Sequence, residues 1–433
     1  MIRSYLSIFA SLVLVTSCAT IDESGTLAQL RMVDLKLEDE VIEGGLEKAM
    51  ESYQKFLEET PESAMTPEAI RRLADLKIER QNAIQDSALD KEISKPSSKK
   101  SIEKSSSDKS AAIATKKTGD DKSSSTKVDG ESDDDFEKRA TQSDKIEAQK
   151  QDKIKLADGT DADMNNVGAQ EAIALYKQLL ERFPLYERND QVLYQMSRAY
   201  EEMADVEAAM VVMNRIVKEY PNSRYMDEVQ FRRAEYFFTR KKFLDSEDAY
   251  KAIVNIGSNS FYYDLALYKL GWTFYKQELY EEALMFFMSL LDHKISIGYD
   301  FNQTEDKIAK KRVDDTYRVI SLSFSNLEGA KSIIDHFDKV GRKPYEVGVY
   351  KNLAEHYFIK RRYGDAAETY NAFVERNPLH RVSPQFHMRV IDIYKVGRFP
   401  KLVVEAKRNF ASAYGLKSEY WKHFDVNAYP EAI

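Results

Sequence analysis

Few residues in this chain could carry chemistry, and they are scattered. The 433 residues include one cysteine, Cys18, and six histidines, none in an HExxH motif or another close pair. One thiol excludes a disulfide framework and a four-cysteine zinc site. The sequence also lacks a GxxxxGK phosphate loop, a GxGxxG dinucleotide motif and a GxSxG nucleophile elbow. It therefore predicts no metal, no cofactor and no catalytic site, so we expect that the protein is not an enzyme.

Some of the histidines directly follow a carboxylate residue in the sequence. Asp335 precedes His336 and Glu355 precedes His356, a combination that general acid–base catalysis uses. Adjacent residues of a helix point in different directions, however. Structural or solvent-facing histidines are therefore the favoured interpretation.

The single thiol lies at the end of a leader-like segment. An apolar stretch, Tyr5 to Val15, follows Arg3 and ends at Thr16, Ser17 and Cys18. Eleven residues are too few to span a bilayer as a helix, which needs about 20, and the pattern is typical of a secretory signal. Residues 15–18 resemble the lipobox of bacterial lipoproteins. An ordinary signal peptide with an incidental cysteine is the alternative.

The lipobox resemblance has consequences for location. It implies cleavage before Cys18 and attachment of fatty acids such as palmitate to the new N-terminus, which would hold the chain on a membrane. Ala19 and Thr20 include no Asp that would retain such a lipoprotein in the inner membrane. The resemblance therefore implies the periplasmic face of the outer membrane.

The remaining composition indicates a helical, non-basic protein. Lys and Arg number 64 against 72 Asp and Glu, a net charge of −8. An acidic chain lacks the basic field that nucleic acid requires, so we expect no nucleic-acid partner. Only 16 Gly and 10 Pro occur, too few for a many-turned sheet protein.

A solvated segment interrupts the chain. Residues 86–166 are rich in Ser, Lys and Asp, and Phe136 is the only aromatic residue among them. Such a composition cannot bury enough apolar surface to offset its conformational entropy, so we expect a disordered insertion. A plain spacer and a tether that contacts peptidoglycan or a partner are both compatible with the sequence.

Small and aromatic residues recur with a period of 37. Ser197, Ala234 and Gly271 mark the first small position of successive units. A second small position follows twelve residues later, and a large side chain four residues after that. Antiparallel helices approach closely only where small side chains face each other, so the pattern predicts stacked helical hairpins. The second small positions are Ala209, Ser246 and Ala283, and the large residues are Met213, Tyr250 and Phe287.

Proline closes four of the predicted units, at Pro61, Pro184, Pro221 and Pro378, because it cannot continue a helix. The unit that would begin with helix 67–85 lacks a second helix until residues 168–183. We therefore expect these two helices to pack together, with the solvated segment inserted within one repeat.

These observations define the predicted organisation. The segments are a signal peptide (1–17), the lipidated Cys and a tether (18–45), N-terminal repeat-like helices (46–85), the disordered insertion (86–166), repeats (167–297), a divergent helical hairpin (298–345) and C-terminal repeats (346–433).

The repeat pattern resembles the tetratricopeptide repeat. The best match is the segment from Leu267 to Tyr275 followed by Tyr280, Ala283 and Phe287, in which Gly271 falls on a signature position. The period is 37 rather than 34. The resemblance implies an all-α fold, a superhelix of tetratricopeptide-like hairpins. With the lipobox, it is similar to periplasmic lipoproteins of the BamD-like and CpoB-like families. The segments from Gly45 to Pro61 and from Arg312 to Phe324 resemble more closely the repeat proteins of TonB-like or gliding-motility systems.

The resemblance implies a scaffold that binds envelope proteins or extended peptides, with a membrane anchor and peptidoglycan as a further contact. An accessory of outer-membrane β-barrel assembly is one alternative, and a peptidoglycan-processing or peptidoglycan-binding enzyme subunit is another. First-helix residues line the inner wall of a repeat stack, and aromatic and Arg residues concentrate binding energy. The expected groove residues are Tyr194, Arg198, Phe231, Glu235, Phe238, Tyr268, Trp272, Tyr275 and Lys276.

Overall fold

A computed structural model describes residues 44–93, 131–142, 166–301 and 306–423. The chain divides into two units, residues 1–60 and 61–433. The predicted signal peptide and Cys18 lie outside the described residues, as does nearly all of the predicted tether. Within the described ranges the secondary structure is entirely helical, which confirms the all-α fold class.

The described α-helices are numbered in chain order. They are α1 (Gly45–Glu59), α2 (Thr66–Ile93), α3 (Asp133–Thr141), α4 (Val167–Arg182), α5 (Asn189–Glu202), α6 (Val206–Glu219), α7 (Met226–Thr239), α8 (Phe243–Ile256), α9 (Tyr263–Tyr275), α10 (Tyr280–Ser296), α11 (Lys307–Ser325), α12 (Ala330–Val340), α13 (Glu346–Ile359), α14 (Tyr363–Arg376), α15 (Ser383–Val396) and α16 (Pro400–Tyr414). Helix α1 is the described part of the first unit, and all others belong to the second. Short 3-10 helices follow α8 (Gly257–Asn259) and α16 (Glu419–His423).

Small residues allow the paired helices to approach. Ala234 on α7 and Ser246 on α8 are fully buried, and the Ser246 hydroxyl donates to the Ala234 carbonyl at 3.1 Å. Gly271 on α9 is the tightest case, because a Cβ atom there would lie 2.6 Å from the ring of Phe287 on α10. The predicted hairpin pairing is therefore confirmed in atomic detail.

The hairpin turns repeat one backbone conformation. Ala204, Lys241, Glu278, Arg361 and Arg398 have φ angles of 58–61°. Each lies just after a first helix, at the same register as the 37-residue period. The next residue in each case donates its backbone N–H to a carbonyl five positions back, as Lys242 does to Phe237 at 2.9 Å. This is the Schellman arrangement that ends helices, normally with glycine.

Proline marks the other end of the units, as predicted. Helices α1, α4, α6 and α14 each end two residues before a proline, at Glu59, Arg182, Glu219 and Arg376. Proline has no N–H to donate and clashes with the preceding turn. The prolines therefore determine where these four helices end.

The predicted pairing of helix 67–85 with helix 168–183 is confirmed, because α2 packs against α4. A buried ion cluster joins them. Arg71 is 1% exposed and donates to Asp75 at 2.6 Å, while the Tyr176 hydroxyl on α4 donates to the same carboxylate at 2.6 Å. The predicted insertion therefore interrupts one hairpin.

The insertion differs from the expectation in one part. Residues 131–142 lie inside the predicted disordered range 86–166 yet form an ordered segment that contains α3. The backbone of α2 also continues to Ile93, beyond the predicted boundary at residue 85. Composition failed here because it averages over the segment, whereas Phe136 gives α3 an apolar anchor that is fully buried. The rest of the insertion lies outside the described residues.

The C-terminal half continues the stack. Helices α11 and α12 correspond to the predicted divergent hairpin, and α13 to α16 form two more hairpins. The turn-forming residues Gly298, Asp300, Asn302 and Asp306 predict an irregular stretch near residues 293–307. Helix α10 nevertheless continues to Ser296, so the first four residues of that range are helical. In the described ranges, no helix combines the length and apolar character needed to cross a membrane.

Candidate functional site

Helix α3 lies against the first helices of three successive hairpins. It contacts side chains from α9, α11 and the end of α13, although these are more than 120 positions away in sequence. Its N-terminal end lies near α11 and α13, and its C-terminal end near α9. We call the surface formed by Lys269, Trp272, Tyr275, Lys276, Asp315, Arg318 and Lys360 the α3 groove.

The apolar contact centres on one side chain. Phe136 is fully buried, with its ring centroid 5.7 Å from that of Trp272. The Arg318 guanidinium lies over the Phe136 ring at 4.2 Å, and that of Arg139 lies at 5.4 Å. Cations over an aromatic face are stabilising, more so when partly desolvated. Phe136 is therefore the anchor of α3.

The acidic N-terminal end of α3 meets cations. Ser132 caps the helix by accepting the Asp135 N–H at 3.1 Å. Arg318 donates to the Glu131 carboxylate at 2.6 Å and to the Glu131 carbonyl at 3.0 Å. Lys360, just after α13, pairs with Asp133 at 2.7 Å. These carboxylates also complement the positive end of the helix dipole.

The pKa values of the two acids follow from these contacts. The hydrogen bond from Arg139, supported by Arg318, lowers the pKa of Glu131. Burial opposes ionisation of Asp133, but its bonds to Lys360 and Arg318 outweigh burial and lower its pKa too. Both acids are therefore held as carboxylates near neutral pH.

The second half of α3 presents one charge of each sign to the groove. Glu137 accepts from the Tyr275 hydroxyl at 3.2 Å and pairs with Lys276. Arg139 makes a two-pronged contact with Asp315, with nitrogen–oxygen distances of 2.8 and 2.9 Å. A bidentate guanidinium–carboxylate pair fixes orientation as well as adding attraction. The pattern of charges therefore sets the direction in which α3 lies.

A buried lysine receives the C-terminal end. Lys269 on α9 is fully buried and donates to the Gln142 carbonyl at 2.7 Å. The same ammonium lies 3.4 Å from Glu235, which also accepts from the Tyr250 hydroxyl. Free carbonyls at a helix C-terminus attract cations. Lys269 therefore satisfies the Gln142 carbonyl, just after the end of α3.

The nine predicted groove residues fall into three groups: four in or beside the α3 groove, three packed in the core, and two farther along the first-helix wall. Trp272, Tyr275 and Lys276 contact α3 directly, and Glu235 orients Lys269. The other five are Tyr194, Arg198, Phe231, Phe238 and Tyr268.

Three of those five are packing residues. Phe231 is 1% exposed and stacks on Tyr262 at 5.0 Å, and Phe238 and Tyr268 are also buried in the core. They offer almost no surface to a partner. Trp272 is likewise fully buried between Phe136 and the core, so its truncation should affect stability as well as binding.

Tyr194 and Arg198 lie farther along the first-helix wall, on α5. The Tyr194 ring is buried and stacks on Tyr225 at 4.1 Å, and the guanidinium of half-buried Arg198 lies 5.9 Å from the Tyr194 ring. Whether this part of the wall binds a partner stays a prediction.

Sequence reasoning missed four residues of the α3 groove, one inside the best repeat match and three outside it. Lys269, Asp315, Arg318 and Lys360 were not singled out, because each looks like an ordinary charged helix residue. A signal for α3 was present nonetheless. Ser132 followed by three Asp, one Phe and then Lys138 and Arg139 is the charge order of a capped helix.

The contacts in the α3 groove are those that hold a polypeptide segment. Across the described ranges, no cluster of His, Cys, Asp or Glu is arranged to hold a metal ion. Burial lowers the pKa of His356 and also that of His336, so both imidazoles favour the neutral form. What the arrangement does is hold a polypeptide helix by one aromatic anchor and a ring of charges.

Stacked hairpins that hold a helix against their first helices define an all-α repeat protein with a polypeptide-binding face. Two family models, both described as Tetratricopeptide repeat, match residues 169–229 and 265–293. The chain thus contains tetratricopeptide repeats, which generally bind peptides or proteins and typically act as scaffolds rather than enzymes. No curated protein matches the chain.

Proposed function

We propose that this protein is a lipid-anchored scaffold in a bacterial cell-envelope complex, where its repeat stack binds segments of partner proteins. One observation carries the binding role: the first-helix wall holds α3, a helix from a distant part of the chain, by an aromatic anchor and opposed charges. A surface that binds one such helix has the chemistry to bind another.

The location rests on the sequence. The apolar stretch that ends at Cys18 supports secretion and acylation, and the absence of Asp at Ala19 and Thr20 supports the periplasmic face of the outer membrane. The resemblance of the lipobox and the repeat pattern to envelope lipoproteins supports a TonB- or Tol-like transport system or a motility system as the setting. Peptidoglycan is a further proposed contact, through the insertion.

The anchor is tested by Cys18→Ser in the native host. Cells are grown with an alkyne-bearing palmitate analogue, and the protein is isolated and coupled to a dye. The natural chain should be labelled and should fractionate with the outer membrane, whereas Cys18→Ser should lose the label. Equal labelling of both chains, or an unlabelled natural chain in the soluble fraction, would contradict the anchor.

The scaffold role is tested by photo-crosslinking in cells. A photoreactive residue replaces Arg198 on the first-helix wall, and a matched control replaces Arg215 on the second helix of the same hairpin. The proposal predicts crosslinks to an envelope protein from position 198 and none from position 215. Identical products at both positions, or only cytoplasmic proteins, would count against it. Crosslinking to a component of the outer-membrane β-barrel assembly machinery would favour a role in that process instead.

A further inference from the structure

We infer that the α3 groove is a binding site for a partner's short acidic helix with the chemistry of residues 131–142, and that the chain's own α3 occupies it as a competing ligand. The inference rests on the proposed scaffold function and names the class of segment that the scaffold accepts.

Charge complementarity defines the ligand. The groove presents Lys269, Lys276, Arg318 and Lys360 as cations and Asp315 as its contacting anion. A matching helix needs carboxylates in its first turn, a further carboxylate midway and one Arg in its last turn. It also needs free C-terminal carbonyls for Lys269. Reversing such a helix would place like charges together, so the groove also fixes direction.

The anchor position defines the rest of the ligand. The Phe136 ring fits between Trp272 and the Arg318 guanidinium, and Ala140, one turn later, is also buried. Helices under about 12 residues are marginal alone in water. A nine-residue helix is therefore ordered by the groove, which is the behaviour of a bound peptide.

The bonds that hold α3 are those of an exchangeable ligand. Among the described residues of the segment only Phe136 and Ala140 are buried. The charged partners keep contact with water: Arg139 is 32% exposed, Arg318 28% and Lys360 50%. Such ion pairs contribute little each and weaken with salt. Detachment of α3 therefore breaks one apolar anchor, the hydrogen bond from Lys269 to the Gln142 carbonyl and several weak ion pairs. The hairpins contact one another through their own helices.

Covalent attachment gives α3 an advantage over a free partner. Residues 94–130 and 143–165 connect it to α2 and α4, so it meets the groove intramolecularly at a high effective concentration. A partner's apparent affinity is reduced by the fraction of grooves that α3 already fills. The chain would thus bind weak partners only when they are concentrated or multivalent.

The test uses a fluorescein-labelled peptide of residues 131–142 and the full chain, followed by fluorescence anisotropy. The natural chain should bind the peptide weakly. A chain with Phe136→Ala should bind it at least about tenfold more tightly, because the competing helix is lost. Lys138→Ala is the matched control, since Lys138 is exposed on α3, and it should behave like the natural chain.

Two further samples establish the site. Adding Arg318→Ala to the Phe136→Ala chain should lower peptide affinity about tenfold, and a peptide carrying Phe136→Ala should not bind. Circular dichroism verifies that each chain keeps its helices. A chain in which Gly and Ser replace residues 131–142 should bind the peptide like the Phe136→Ala chain.

Equal affinity of the natural and Phe136→Ala chains would overturn the inference, as would binding that Arg318→Ala does not change. Dimers of the natural chain that dissociate on Phe136→Ala would assign the groove to a second copy and overturn it as well. The results of this test can be distinguished from those of the scaffold test. Peptide binding without any envelope crosslink from position 198 would refute the scaffold alone, whereas crosslinks without peptide binding would refute the inference alone.

Discussion

The docking of α3 depends on one side chain, and Phe136→Ala is the change that tests it. Phe136 is fully buried against Trp272 and the Arg318 guanidinium. Truncating a buried Phe to Ala typically costs 3–5 kcal/mol. The groove can relax into solvent, so we expect the lower end, about 3 kcal/mol. That corresponds to a roughly hundredfold lower docking constant.

The assay is tryptophan fluorescence. The chain has two tryptophans, so Trp421→Phe leaves Trp272 as the only tryptophan. Trp272 is fully buried with α3 in place. Loss of Phe136 should shift its emission to longer wavelength and make it accessible to acrylamide. Phe136→Leu keeps most of the apolar volume, so it should weaken docking by only about 1 kcal/mol and produce little of this emission shift.

A second variant on α3 serves as the control. Lys138→Ala changes the same helix at an exposed position and should leave the emission unchanged. If Phe136→Ala also leaves emission and quenching unchanged, while far-ultraviolet circular dichroism shows folded helices, α3 does not cover Trp272 and the reasoning fails.

Three further outcomes are expected in urea denaturation. Gly271→Ala should destabilise the chain by about 1–3 kcal/mol because its Cβ would overlap the Phe287 ring. Gly364→Ala, at a helix position with open space around it, is the control and should be neutral or stabilising by up to about 1 kcal/mol. Equal effects of the two substitutions would contradict the packing at Gly271. Lys241→Gly should stabilise by about 0.5 kcal/mol, because its φ of 58° is costly for any residue with a Cβ; a loss of stability would contradict the turn assignment. Hydrogen bonds, chiefly from Arg71, lower the pKa of Glu68 from 4.5 to about 2, so its stabilisation is complete above pH 4.5 and is lost as the pH falls toward about 2. Glu68→Gln should flatten the acid dependence in that range, and an unchanged dependence would contradict it.

Much of the fold is predictable because its determinants are local and periodic. Ser197, Ala234 and Gly271 recur at one spacing, and each occupies a close helix contact. The prolines that follow α4 and α6 end those helices where expected. Even the split hairpin of α2 and α4 follows from a unit that lacked its second helix. Such signals depend on backbone sterics and side-chain volume, which act the same way in every repeat.

The site is less predictable because it depends on contacts between distant segments. Aromatic residues at helical spacing on a first helix include both Trp272, which contacts α3, and Phe231, which is core. Sequence period does not distinguish them. The docked helix was missed for a related reason, since one Phe in a charged segment has no local sign of burial. Its burial depends on Arg318 and Trp272, far along the chain.

Hydrogen exchange of residues 136–141 tests the central claim most directly, because that claim is that the first-helix wall binds a helix. The amides of this segment are measured in the full chain and in the isolated peptide of residues 131–142. The peptide is too short to hold a helix in water, so its amides should exchange at the rate of an unfolded chain. In the full chain they should exchange at least about a hundredfold more slowly, and Phe136→Ala should remove the protection. Exchange at the same rate in the full chain and the peptide would contradict the account.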